Sequence, residues 1–313
     1  MADVSRRNVL GALGAVGAAS ILFGTTGTAQ ALASNATGSP LNPWAVGSAR
    51  IVIAAALLLA LTTASGGLRL TGAWRTERFP ALLGGIGVAA YQLGFFSGVQ
   101  TAGVAAGTMI AIGSCPAFTG VLQWVLRGTR PGLLWAVSTV VAISGMTLIV
   151  AGAGDAATLT LLSVVPPLIA GLGYATYTVA GSMLLNGGAA SSSAMAQMFS
   201  VGAILLLPVL VFALPGGLNT GPGMSAILYL AVVPTVIAYL LFGAGLRYLA
   251  PSTVATMTLI EPAVAAVLGV VVLGEQLGGV ALTGMGVIVA ALAILALGTL
   301  RRTHPTSVEL RST

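Results

Sequence analysis

Charge is what this sequence has least of. Only 6% of its 313 residues are Asp, Glu, Lys or Arg, and mean hydropathy is +1.04. A soluble domain carries about 25% charged residues, so the composition excludes one and points to a polytopic membrane protein. Lysine is missing altogether: the 12 basic residues are all arginine, against 6 acidic ones, for a net charge of +6. In so apolar a chain that excess bears on orientation in the bilayer rather than on nucleic acid. The single cysteine, Cys115, excludes an internal disulfide, and the single histidine, His304, sits in the C-terminal tail, so no metal site is expected. There is no intramembrane histidine, no His-Glu-x-x-His and no pair of membrane aspartates, which argues against a membrane enzyme. A glycine-rich, lysine-bearing phosphate loop is also missing, so energy would come from a gradient and no cofactor is expected.

What the chain has is long hydrophobic runs. Ten can be marked, at 9–29, 44–63, 80–98, 105–126, 133–151, 160–185, 194–214, 225–243, 252–273 and 280–299. Each is near the roughly 20 residues that a spanning helix needs. The expected fold is therefore an all-α polytopic membrane protein of ten transmembrane helices. Glycine, at 43 residues, is far above its usual share of about 7%. Small residues let membrane helices approach closely, as in Gly94-x-x-x-Gly98 and Gly103-x-x-x-Gly107.

The arginines orient the bundle. With ten spans and the N-terminus inside, the inner segments hold Arg6, Arg7, Arg69, Arg75, Arg78, Arg127, Arg130, Arg247, Arg301, Arg302 and Arg311. The outer loops hold none. This asymmetry predicts an inner-membrane protein with both termini cytoplasmic. Arg50 is the exception, inside the second span near its outer end. Two readings stand for it: a side chain that snorkels to the interface, or one that faces a polar cavity. Ser5-Arg6-Arg7-Asn8-Val9-Leu10, with Ala31-Leu32-Ala33, resembles a twin-arginine export signal and its cleavage site. That route carries folded soluble cargo, and cleavage would destroy the internal repeat, so the segment is expected to remain as the first span.

The repeat appears when the chain is slid along itself. A slide of 146 residues sets Pro116 on Pro262, Ala117 on Ala263, Gly128 on Gly274 and Cys115 on Glu261. A slide of 147 sets Phe95 on Phe242, Gly98 on Gly245 and Arg50 on Gln197. Two halves of five helices each must insert in opposite senses, so the expectation is a pair of inverted five-helix repeats. Their bounds would be 1–152 and 153–303, with 304–313 a cytoplasmic tail. Inverted repeats are typical of secondary transporters, with the solute site at the repeat interface near the midplane.

The stretch Leu259-Ile260-Glu261-Pro262-Ala263-Val264-Ala265-Ala266, then Leu273-Gly274-Glu275-Gln276-Leu277, then Gly284 and Gly286, resembles the ten-helix EamA group of the drug/metabolite transporter superfamily. Phe23-Gly24-Thr25-Thr26-Gly27, Ser39-Pro40, Ala49-Arg50 and Cys115-Pro116-Ala117-Phe118 echo the group's first half. The resemblance implies a metabolite or drug transporter, most often an exporter of amino acids or related solutes, whose halves enclose a central cavity. Two departures limit the carry-over. Relatives often carry an acid in the first half matching Glu275, where this chain has Thr129 in Arg127-Gly128-Thr129-Arg130. The first helix also lacks the membrane carboxylate of the related four-helix multidrug exporters.

Glu261 is the one carboxylate well inside a span. A helix begun near Ser252 places it about 15 Å deep, close to the bilayer midplane. Burial there costs about 2.5–3.5 kcal/mol on insertion scales, so the side chain should face protein or water. It either couples protons or binds a substrate amine, or it fixes the helix around Pro262. Pro116, Pro234 and Pro262 each remove an intrahelical hydrogen bond and are hinge candidates. Tyr91, Gln92, Tyr174, Tyr177 and Tyr239 sit well inside their spans, deeper than interfacial belts, and are cavity candidates. Glu275 falls in a short outer loop, where a helix-end contact is expected.

These residues point to a secondary transporter that exports a small metabolite, an amino acid or related amphiphilic solute, by alternating access. The partners expected are that solute, with or without protons, and the lipid bilayer; neither nucleic acid nor an obligate protein partner is expected. The alternatives are a proton-coupled multidrug efflux carrier and, in a different class, a membrane-embedded protein that does not transport.

Overall fold

The computed structural model describes residues 6–38, 41–65, 74–102, 104–152, 160–213, 220–274 and 278–302. The helices follow the apolar runs: α1 Arg6–Thr37, α2 Pro43–Ala64, α3 Trp74–Ala102, α4 Val104–Arg127, α5 Leu133–Gly152, α6 Leu161–Asn186 and α7 Ser191–Ala213. Next come α8, Gly221–Leu246, α9, Pro251–Leu273, and α10, Gly279–Arg302. Among the described residues nine of these are long and apolar enough to cross a membrane, and α5 adds a shorter apolar stretch, Leu133–Ile149. No strand occurs among the described residues. Gly103, the loop at 153–159, Glu275, Gln276, Leu277 and the tail from 303 onward lie outside the described residues, as do Ser5, Ser39, Pro40 and Arg69.

Helix ends are set by local chemistry. Asn42 caps α2, its side-chain oxygen accepting from the Trp44 N–H at 3.0 Å, with Pro43 at the first helical position. Thr160 and Ser163 cap α6 reciprocally, each side chain taking the other's backbone N–H. Gly274 closes α9 in the left-handed region, φ 73°, which residues with a Cβ seldom adopt.

Two helices are irregular inside the bundle. In α8 the segment Val232–Ile237, which holds Pro234, is a π-helix between Gly221–Ala231 and Ala238–Leu246. The Thr235 hydroxyl donates to the Leu230 carbonyl at 2.7 Å, occupying an acceptor in the widened turn. In α9 the helix breaks at Thr258 and Leu259, leaving a short half, Pro251–Met257, and a longer one, Ile260–Leu273. Pro262 has no N–H to give the Thr258 carbonyl, and Glu261 N–H supplies it instead at 3.0 Å. By contrast α4 runs unbroken through Pro116.

The largest interfaces join α3 to α6, α5 to α10, α2 to α7, α4 to α6, α3 to α7, and α1 to α8 and the long half of α9. Nearly all of them pair an element before residue 153 with one after it. Along α3, Gly87 meets Gly173, Gly94 meets Ala170 and Gly98 meets Pro167, so α3 and α6 run antiparallel. On α5 and α10, Gly145 meets Gly284 while Leu134 meets Gly298, also antiparallel. At Gly87, Gly94, Gly145, Gly173 and Gly284 glycine is required because a Cβ would enter the facing backbone: one on Gly87 would lie 2.7 Å from the Gly173 oxygen.

Candidate functional site

The close seam of α3 against α6 is what brings the tyrosines together. Tyr91 lies one turn beyond Gly87, and Tyr174 follows Gly173, so removing both Cβ atoms lets the rings meet. Tyr91 sits 6.1 Å, centroid to centroid, from both Tyr174 and Tyr177, edge on, and Tyr174 and Tyr177 are 4.9 Å apart. Tyr239, just past the π-segment of α8, stands 5.8 Å from Tyr177, and the two hydroxyls are 2.9 Å apart. The Tyr174 hydroxyl lies 2.9 Å from Thr258 Oγ1, at the break in α9. Phe95 stacks on Tyr91, while Phe23, Phe199 and Phe242 surround Tyr239 at 5.0, 4.6 and 5.7 Å. Edge-to-face pairs of this kind add about 0.5–1.5 kcal/mol each beyond area burial.

Polar groups sit against this aromatic wall. Arg50 turns into the bundle and donates from Nη2 to Gln92 Oε1 at 2.8 Å. Gln92 is itself anchored, its amide nitrogen donating to the Gly47 carbonyl at 3.0 Å, so its oxygen is fixed towards Arg50. The Arg50 Nε–H is buried and has no partner. Glu261 opens the long half of α9 and interacts electrostatically with Arg50, Tyr91, Tyr174, Tyr239 and Cys115. Gly24 of α1 presses on the same turn: a Cβ there would lie 2.7 Å from Val264 Cβ and 3.0 Å from the Glu261 carbonyl oxygen.

Burial divides the site. Arg50, Tyr91, Phe95, Glu261 and Pro262 are half-buried, whereas Tyr174, Tyr177, Tyr239, Phe199 and Phe242 are buried. Beyond Tyr239, towards the face that carries both chain ends, Val16, Leu184, Met195, Met198 and Leu246 fill the interior. Further contacts brace the short half of α9 on that side. The Trp135 indole N–H donates to the Ser252 carbonyl at 2.9 Å, and Ser252 N–H donates to Gln123 Oε1 at 3.0 Å. Thr139 and Thr256 hydroxyls meet at 2.8 Å. The arrangement is a cluster of polar and aromatic groups resting on a packed apolar plug.

Of the candidates from sequence, the fold clusters Tyr91, Tyr174, Tyr177 and Tyr239, and sets Gln92, Arg50 and Glu261 beside them. Pro262 and Pro234 mark the two helix irregularities flanking the cluster; Pro116 adjoins Cys115 in a continuous helix. The sequence reading missed Phe23, Phe199, Phe242 and Thr258 as site neighbours. Phe23 and Phe242 carried a signal, one within the Phe-Gly-Thr-Thr-Gly stretch and the other matching Phe95 across the repeat; Thr258 and Phe199 carried none. A separate groove of about 460 Å³ opens between α1, α8 and α9, lined by Thr25, Thr28, Ala33, Ser225, Tyr229 and Val272. Its lining shares no residue with the cluster of Tyr91, Tyr174, Tyr177 and Tyr239.

With one guanidinium, one carboxyl and several rings, the cluster offers the chemistry that an amphiphilic solute of low net charge requires. Among the described residues no group of three or more His, Cys, Asp or Glu is placed to hold a metal ion.

Comparison with known proteins agrees with this architecture. The profile of the EamA-like transporter family matches twice, over residues 9–151 and 161–297. The chain is 33% identical over 281 residues to the uncharacterized transporter YwfM of Bacillus subtilis (strain 168), covering 88% of this chain and 92% of that one. It is 29% identical over 225 residues to the threonine/homoserine exporter RhtA of Escherichia coli (strain K12), covering 69% and 70%. Identity is 30% over 236 residues to a probable terminal-alkyne amino-acid exporter of Streptantibioticus cattleyicolor, covering 74% and 77%. A solved crystal structure, 20% identical, superposes with a TM-score of 0.76 over 94% of this chain and 99% of its own, a likeness of fold. The chain is a multi-pass membrane protein and belongs to the EamA-like transporter family.

Proposed function

We propose that the protein is a secondary transporter that exports an amino acid or a related amphiphilic solute across the inner membrane by alternating access. The observation that carries this reading is Glu261, half-buried at the start of a broken helix and set against Arg50 and the tyrosine cluster. Membrane carboxylates are expensive and mark solute or ion pathways, and discontinuous helices form transporter sites near the midplane. The names of two relatives, exporters of threonine and homoserine and of an amino acid, support the substrate class. That the family is one of transporters supports a role without enzymatic chemistry.

The double match to the family profile supports two repeats, 1–152 and 153–303, followed by a short tail. Their inversion is supported by the contacts: α3 lies antiparallel to α6 as α1 does to α8, and α5 lies antiparallel to α10. The arginine distribution supports cytoplasmic termini. In that orientation the plug beneath Tyr239 closes the inner side, and the half-buried residues face outward.

The test is counterflow in proteoliposomes over a panel of labelled amino acids, with and without an imposed pH gradient, for wild type and Glu261→Gln. Saturable counterflow of at least one amino acid, reduced about tenfold or more in the variant, is expected, since a charged hydrogen bond is worth about 1.5–3 kcal/mol. Acceleration by the pH gradient in wild type alone would make Glu261 the proton-coupling group. Saturable flux of lipophilic cations but of no amino acid would replace this reading with multidrug efflux. A folded protein that moves neither would overturn the carrier reading.

A further inference from the structure

Buried polar side-chain atoms are almost always paired, so an exception points to a missing partner. Among the described residues three such atoms have none: Arg50 Nε, Ser138 Oγ and Gln197 Oε1. Gln197 already donates through its amide nitrogen to Glu77 and to Ser193, and Ser138 is a hydroxyl free to rotate. Arg50 is different because the unpaired group is part of a permanent positive charge. It is also held still: Gly47 fixes Gln92, and Gln92 fixes Nη2, which leaves the guanidinium edge bearing Nε at a set angle. Its unpaired Nε–H is a charged donor suited to a carboxylate oxygen.

The charge that could satisfy Arg50 from within the protein does not do so. Glu261 feels the Arg50 guanidinium, yet Arg50 bonds to Gln92 and makes no ion pair with Glu261. The two opposite charges act on each other beside the tyrosines without forming a direct ion pair. A ligand with both a carboxylate and an ammonium group would complete each of them.

We propose that Arg50 is the carboxylate anchor of the site and Glu261 its ammonium anchor, so that the carrier selects α-amino-acid zwitterions by both charges at once. This deepens the transporter reading above and rests on it. Gln92 is the positioning residue that presents Arg50, and Tyr91 and Tyr174 receive the substrate side chain. Molecules lacking one charge leave either a guanidinium or a carboxyl unpaired, and are rejected for that reason.

The experiment uses the full chain in proteoliposomes and the amino acid with the largest counterflow in the panel, beside its carboxamide and its decarboxylated amine as competitors. Wild type should prefer the acid over both by about 10- to 100-fold, the range for one charged hydrogen bond. Arg50→Gln should erase that preference by weakening competition from the acid to the level of the amine, while an unfolding temperature in detergent close to wild type reports that the variant is folded. Arg50→Lys keeps the charge but loses the flat edge, and should restore only part of the preference. Equal competition by acid, amide and amine in wild type would overturn the pairing while leaving the carrier reading intact, whatever the variants do. A preference unchanged in Arg50→Gln would also overturn it. Lack of flux with every amino acid would instead be the failure of the transporter reading, and the pairing would fall with it.

Discussion

The Tyr177 and Tyr239 hydroxyls, 2.9 Å apart, tie α6 to α8 beneath the site. Either Tyr177→Phe or Tyr239→Phe leaves the partner hydroxyl buried and unmatched, at a cost of about 1–3 kcal/mol. The double replacement removes both hydroxyls and should cost no more than the worse single change, because the two residues share one bond. Thermal unfolding in detergent over the four proteins checks this; additive losses would show that each hydroxyl has a separate partner. Individual tyrosines were legible in the sequence because a polar tip deep inside an apolar span stands out. Phe199 and Thr258, which complete their surroundings, were not. In a bilayer the lipid-facing side and the protein-facing side are both apolar, so the periodic contrast that marks a buried face in a soluble helix is lost.

Among the helices, most bounds were readable to within a few residues from apolar length alone, as the match of 44–63 to Pro43–Ala64 illustrates, whereas α1 runs on past the expected 29 to Thr37 and α3 begins at Trp74, ahead of the expected 80. Proline showed where a helix could yield, but not whether it does. Pro116 and Pro262 coincide in the repeat, yet α4 stays continuous while α9 separates into two halves. The difference lies in the neighbours: Thr258 at the α9 break is engaged by Tyr174 from another helix, a contact that no local pattern records. Pro262→Ala supplies an N–H for the Thr258 carbonyl and should let α9 run on as one helix. The expected outcome is a higher unfolding temperature together with slower counterflow. A variant with both unchanged would mean that the break is held by tertiary contacts alone. On the side of the chain ends, Gln123→Ala strips the Ser252 N–H of its acceptor and loosens the short half of α9. Faster alkylation of Cys115, the one cysteine and fully buried, is the expected sign that the plug opens more often.

For the molecule as a whole, the fit depends on where glycine allows backbones to touch. A Cβ on Gly173 would lie 2.6 Å from the Tyr91 nitrogen and 2.7 Å from the Gly87 oxygen, both backbone atoms that cannot swing aside. Gly173→Ala should therefore part α3 from α6, destabilise by about 1–3 kcal/mol and impair transport without touching solute. Gly286→Ala, where nothing lies within 4 Å, is the matched control and should change stability by less than about 0.5 kcal/mol. Equal effects at both positions would dismiss close packing as the cause. The same balance seen at Arg50 and Glu261 has an electrical consequence. With both groups ionised the empty core carries no net charge, and a zwitterion adds none. Membrane voltage acts with roughly 2.3 kcal/mol per elementary charge per 100 mV, so on a neutral moving part it does no work. Such a carrier, as long as Glu261 passes no proton, is electroneutral and indifferent to how strongly the cell is polarised.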